Sequence, residues 1–97
     1  PITMLRKVEH LGIAVKSLEE AEKLYERLLG NPAYKREEVA SEHVTTSFFK
    51  SGETKIELLE STDPQSAIGK FIEKKGEGLH HVAFEVDDIY AEMERLR

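Results

Sequence analysis

Hydrophobic and polar positions along the chain switch between two periods, and the switches mark out the elements. Residues 8–15 (VEHLGIAV) are an apolar run broken only by Glu9 and His10, the pattern of a buried strand. Over residues 17–29 the period lengthens. Leu18, Ala21, Leu24, Tyr25, Leu28 and Leu29 recur at three- and four-residue spacing and predict one inward helical face. Ser17 and Glu20 form an S-x-x-E capping box that satisfies orphan N–H groups at its start, and Gly30 and Pro32 stop it. Three strands are predicted next, over 33–39, 44–49 and 54–59. The last two are joined by the turn Lys50-Ser51-Gly52-Glu53, in which Gly52 accepts a positive φ. Asp63-Pro64 opens a loop, and 66–75 reads as a short helix with Ile68, Phe71 and Ile72 inward, ended by Gly76-Glu77-Gly78. A second apolar strand over 79–86 leads into a helix over 88–97 with Ile89, Met93 and Leu96 on one face.

The last two elements repeat the first two. With His10 set over His81, an offset of 71, HLGIAV lies over HVAFEV, and the cap residues Ser17 and Asp88 coincide, as do Leu18 and Ile89. Each copy is a strand with a histidine near its start, followed by a capped amphipathic helix, and an equal offset for both features points to duplication. The fold class expected is α+β, built from paired βαβββ modules. The first module covers 1–61, a connecting segment with the short helix covers 62–78, and 79–97 starts the second module. On the repeat period the second module is truncated after its first strand and helix, and about 35 further residues carrying three strands are expected beyond Arg97. A βαβββ half with only a βα stub would leave sheet edges and apolar faces uncovered.

Composition narrows the function classes. Charged residues make up 34% of the chain and apolar residues 39%, with 14 Lys and Arg against 19 Asp and Glu, a formal net charge of −5. That balance argues against nucleic acid as a partner, because phosphate neutralisation needs a basic surface. The apolar runs are too short to span a membrane, so a cytoplasmic protein without a membrane partner is expected. Without cysteine there is no disulfide framework, no thiolate zinc site and no thiol nucleophile, and any metal must be held by histidine and oxygen ligands.

Strand alternation sorts the candidates for chemistry. His10, Gly12 and Ala14 share one face of the first strand, and His81, Ala83 and Glu85 share one face of the later one, so both histidines stand among small residues. Glu57 lies in an otherwise apolar strand, where an unpaired carboxylate would be costly. Two histidines and a carboxylate on three strands suit a divalent cation, and such a set accepts Co, Mn, Ni or Zn. The alternative is that both imidazoles are satisfied strand residues and Glu57 pairs with a surface lysine. Alternation sends His80 to the opposite face from His81, as a structural residue. His43 is expected to be exposed. Lys7, Arg36, Lys50, Lys70, Lys74 and Lys75 are available to anionic groups, though ordinary solvated charge explains each of them.

The stretches VEHLGIAVKSLEEAEKLYERLLG, TKIELLE, 66–76 and above all GEGLHHVAFEVDDI resemble the methylmalonyl-CoA epimerases, a family of the vicinal oxygen chelate superfamily that also holds glyoxalases, bleomycin-resistance proteins and dioxygenases. The resemblance implies a glyoxalase-like cup around a divalent metal, an isomerase, an acyl-CoA substrate and a homodimer. It implies His10 and His81 as metal ligands and Glu57 as a further one, at a position that is Gln in some epimerases. It also makes Glu57 a catalytic candidate within this sequence, the main acid/base glutamate being expected beyond Arg97. A third-strand carboxylate used by some epimerases corresponds to Thr46, which cannot transfer protons in that way. The implied reaction is interconversion of the 2R and 2S thioesters by proton abstraction through an enolate. Glyoxalase I-like isomerisation and non-catalytic small-molecule binding within the same superfamily are the alternatives.

Overall fold

The computed structural model describes residues 5–97. Its elements run β1 (Leu5–Ala14), α1 (Leu18–Leu29), β2 (Lys35–Val39), a 3-10 turn (Ala40–Glu42), β3 (Val44–Ser51), β4 (Thr54–Ser61), α2 (Ala67–Lys75), β5 (Gly78–Val86) and α3 (Ile89–Leu96). Every predicted element is present, and the fold is the α+β arrangement expected. The five strands form one sheet in the order β2-β3-β4-β1-β5, with β1 parallel to β4 and the other neighbours antiparallel.

The local signals act as their chemistry requires. Ser17 Oγ accepts from the Glu20 N–H at 3.2 Å, and the Leu18 N–H donates across the fold to Glu60 of β4 at 2.6 Å. Gly30 closes α1 in the left-handed region at φ 78°, and Asp88 caps α3 by accepting from the Tyr90 and Ala91 N–H groups.

Two apolar clusters lie on opposite faces of the sheet. Val15, Leu18, Phe49, Ile56 and Leu58 pack under α1, with Ala21, Tyr25 and Leu29 completing that side. Ala14, Val44, Leu59 and Ile68 pack under α2, joined by Phe71 and Ile72 as predicted. Two expectations need correction. Leu24 and Leu28 of α1, counted on the inward face, are exposed, and so are Ile89, Met93 and Leu96 of α3, whose buried residue is Glu92. A helical stripe is buried only where another layer covers it, and among the described residues nothing covers these positions. On β5 itself Leu79, Val82 and Phe84 are exposed.

The β1–β5 ladder carries the feature that matters most for the site. Its register pairs His10 with Ala83 and Gly12 with His81, so the two histidine strands are related by a local two-fold axis. The pairing slips between Val8 and His10, where Glu9 is the extra residue on β1. It slips again between Gly12 and Ile13, where His80 is the extra residue on β5. A third slip, between Leu5 and Lys7, leaves Arg6 as an extra residue on β1; of these β-bulges, the ones at Glu9 and His80 are two-fold equivalents of each other.

Candidate metal centre

The sheet brings the three predicted residues together. Glu57 on β4 and His81 on β5 both stand opposite Gly12 of β1, one on each side, and His10 lies two residues along the same face of β1. Among the described residues, His10, Glu57 and His81 form a group whose potential ligand atoms lie within 4.8 Å of one another. All three are half-buried. His10 Nε2 and His81 Nε2 face each other at 3.1 Å with the rings nearly perpendicular, and Glu57 Oε2 lies 3.6 Å from His10 Nδ1. The surface-lysine alternative for Glu57 is not what forms: Lys55 pairs with Glu9 at 3.3 Å instead.

The donor set fits a divalent ion. Two nitrogens each about 2.0–2.1 Å from one ion are separated by about 3.0–3.4 Å, depending on coordination geometry, and the observed 3.1 Å falls in that range. Imidazole and carboxylate together suit the borderline cations expected from the sequence.

His80 requires a correction. Simple alternation would turn it away from His81, but the bulge restores it to the same side. Its Nδ1 lies 3.0 Å from His81 Nδ1, and its ring meets Phe71 of α2 edge-on at 5.0 Å between centroids. Glu9 behaves likewise, with Oε1 2.7 Å from His10 Nδ1. Pattern reading missed both, because a bulge breaks the period of two on which that reading depends. One signal was available: the same offset of 71 that matches the histidines also matches Glu9 with His80.

Glu57, His80 and His81 open onto a cleft of about 500 Å³ whose wall also carries Glu37, Thr46 and Phe48 from β2 and β3 and Leu59 from β4. Thr46 is buried. His43, exposed as expected, sits on the rim in the left-handed region at φ 54°. Of the cations considered for anionic groups, Arg36 is already engaged by Glu22, and Lys75 lies 5.9 Å over the Phe71 ring.

The electrostatics favour the ligand form of His81. Burial is the largest cause holding its pKa below the ordinary histidine value, the neighbouring His10 and His80 add to that effect, and Glu57 opposes it. The Glu9 carboxyl is also held below its usual range, chiefly by its hydrogen bond to His10. A folded-state pKa lower than the unfolded one means that the unfolded chain binds the extra proton first. The stabilisation due to neutral His81 is therefore complete above about pH 6.5 and is lost as pH falls through the lowered folded value. Urea titrations of the metal-free protein from pH 7.5 to 5 are expected to show a steeper loss in the wild type than in His81→Gln. Equal slopes would mean that burial does not perturb this imidazole.

The profile of the glyoxalase/bleomycin resistance protein/dioxygenase superfamily matches residues 9–97. An uncharacterized protein of Bacillus subtilis, YqjC, is 41% identical over 80 residues, covering 82% of this chain and 57% of that protein. The ethylmalonyl-CoA/methylmalonyl-CoA epimerase of Cereibacter sphaeroides is 37% identical over 95 residues, covering 97% of this chain and 71% of the relative. Among solved structures, a methylmalonyl-CoA epimerase of Streptomyces coelicolor in complex with 2-nitronate-propionyl-CoA superposes with a TM-score of 0.78 at 29% identity, covering 97% of this chain and 69% of that one. The chain thus spans little more than half the length of the B. subtilis relative. No helix among the described residues is long and apolar enough to cross a membrane.

Proposed function

Because the chain belongs to the glyoxalase/bleomycin resistance protein/dioxygenase superfamily, we propose that it carries the metal-binding half of a methylmalonyl-CoA epimerase, which interconverts the 2R and 2S thioesters by moving a proton at the carbon between thioester and carboxylate. The observation that carries this reading is the set of His10, Glu57 and His81 gathered within 4.8 Å beside a cleft, in a chain that has methylmalonyl-CoA epimerases among its named relatives. On this reading residues 1–61 are a first βαβββ module, 62–78 a connection, and 79–97 the beginning of a second.

His10 and His81 would hold a divalent ion through Nε2, and Glu57 would supply a carboxylate oxygen. Such an ion contributes Lewis-acid stabilisation of the negative charge that develops on the thioester oxygen. The chain's own residues do the rest of the work assigned here. Glu57 is the carboxylate of the cluster and the first candidate on this chain to take or return a proton at the cleft floor. Phe48 and Leu59 supply the apolar part of a wall that Glu37 and Thr46 share. Thr46 offers a hydroxyl where an acid/base group would need a carboxylate, so it does not transfer the proton.

Solvent exchange tests the assignment. In D2O the C2 proton of methylmalonyl-CoA is expected to disappear from the proton NMR spectrum with protein and divalent metal, to persist with a strong chelator, and to exchange again when metal is restored. Chelator-resistant exchange would remove the ion from the mechanism. Absence of exchange by metal-loaded protein, together with turnover of a glutathione hemithioacetal, would move the chain to the glyoxalase-type isomerases.

A further inference from the structure

The bulges at Glu9 and His80 do the same thing at equivalent places. Glu9 is the extra residue on β1 and hydrogen-bonds His10 Nδ1 at 2.7 Å; His80 is the extra residue on β5 and meets His81 Nδ1 at 3.0 Å. In each case the residue directly before a histidine, which regular pleating would turn to the other face, is raised beside that histidine's ring and occupies the nitrogen that does not look into the site. We infer that Glu9 and His80 are a symmetric pair of positioning residues that fix the tautomer and ring orientation of His10 and His81, so that both Nε2 lone pairs are presented to one cation.

The chemistry of Glu9 sets the direction of the first bond. A carboxylate can only accept, so His10 must carry its proton on Nδ1, leaving Nε2 bare. Glu57, at 3.6 Å, is beyond hydrogen-bond range of the same nitrogen, so the proton goes to Glu9. Glu9 is itself steered by Lys55 at 3.3 Å. On the other strand the inferred arrangement has His81 donate from Nδ1 to His80 Nδ1, 3.0 Å away, and His80 is held in place by its edge-on contact with Phe71. With both Nδ1 atoms donating, two lone pairs confront each other at 3.1 Å, an arrangement that favours a cation between them. Ligating histidines commonly need such a partner on the far nitrogen, and its removal typically costs about 10–100-fold in metal affinity.

Gly12 makes the arrangement sterically possible. It is buried between Glu57 and His81 in the register, and a Cβ at this position would lie 2.1 Å from His81 Cε1. The obstructing atom belongs to the ring rather than to backbone, so an alanine here displaces the imidazole and leaves the strand in place.

This inference rests on the metal-site reading above, and the test separates the two. Glu9→Ala, Glu9→Gln, His80→Ala and His80→Gln are compared with wild type by competition for Zn(II) or Co(II) with a chromophoric chelator. The metal-free proteins are compared by imidazole 15N NMR, which reports the tautomer of each ring. Both alanine variants are expected to bind about 10–100-fold more weakly, with His10 or His81 losing its single Nδ1–H tautomer. Both glutamine variants, which keep an acceptor oxygen, are expected to recover most of the affinity. Wild-type affinity and tautomers in the alanine variants would overturn the inference. If wild type itself binds no metal, the metal-site reading fails and the tautomers still decide this one: a single Nδ1–H form lost on alanine substitution upholds it, and an unchanged mixture sinks it.

Discussion

Alanine in place of His10 or His81 is expected to remove stoichiometric divalent metal from the protein. Binding energies of about 10–16 kcal/mol for structural zinc, shared among four ligands, put roughly 2.5–4 kcal/mol on each, or about two to three orders of magnitude in affinity. Losing His10 also leaves the Glu9 and Glu57 carboxylates facing each other across an empty position, 2.7 and 3.6 Å from where its Nδ1 stood. Equilibrium dialysis with elemental analysis measures the effect. His43→Ala is the control, because that imidazole is exposed on the rim and stands outside the three-residue group. Unchanged metal content in both His10→Ala and His81→Ala would eliminate the site. The expected order is therefore ligand substitutions first, the positioning residues Glu9 and His80 well behind, and His43 without effect.

The second large effect is on stability. Phe49→Ala is expected to cost about 3–5 kcal/mol, the range for deleting a buried aromatic side chain and leaving a cavity. Phe49 is fully buried, at the centre of the cluster that joins β3 and β4 to α1, with the Tyr25 ring 6.1 Å away between centroids. Small domains have about 5–15 kcal/mol in total, so the variant would be near the limit of folding. A fall in the urea midpoint at constant m-value is the measurement. Leu28→Ala, at a position 67% exposed, is expected to change stability by less than about 0.5 kcal/mol. A loss below about 1 kcal/mol for Phe49→Ala would mean that this cluster is not the main core.

His10 and His81 are visible as a pair in the sequence, because a repeat that aligns strands also aligns the residues on them. Glu57 stood out as a carboxylate in an apolar strand. The caps at Ser17 and Asp88 and the stop at Gly30 were equally legible, since each depends on a few neighbouring residues and their hydrogen bonds. Burial of Leu24, Leu28, Ile89, Met93 and Leu96 was not legible. Periodicity says that a helix has an apolar stripe, and only the packing of layers says whether something covers it.

By itself the sequence determined the element order, the helix ends, the repeat and the donor types of the site, because these follow from local chemistry and from a period. Tertiary structure decided three things. It placed β4 and β5 on either side of β1, so that Glu57 and His81 meet across Gly12. It introduced the paired bulges that turn Glu9 and His80 toward the ligands, contrary to the alternation that had sent His80 to the other face. It brought the two Nε2 atoms to 3.1 Å. The physical reason is the same for all three. Strand pairing and register are set by contacts between residues far apart in the chain, and a one-residue slip in that pairing reverses which side chains share a face.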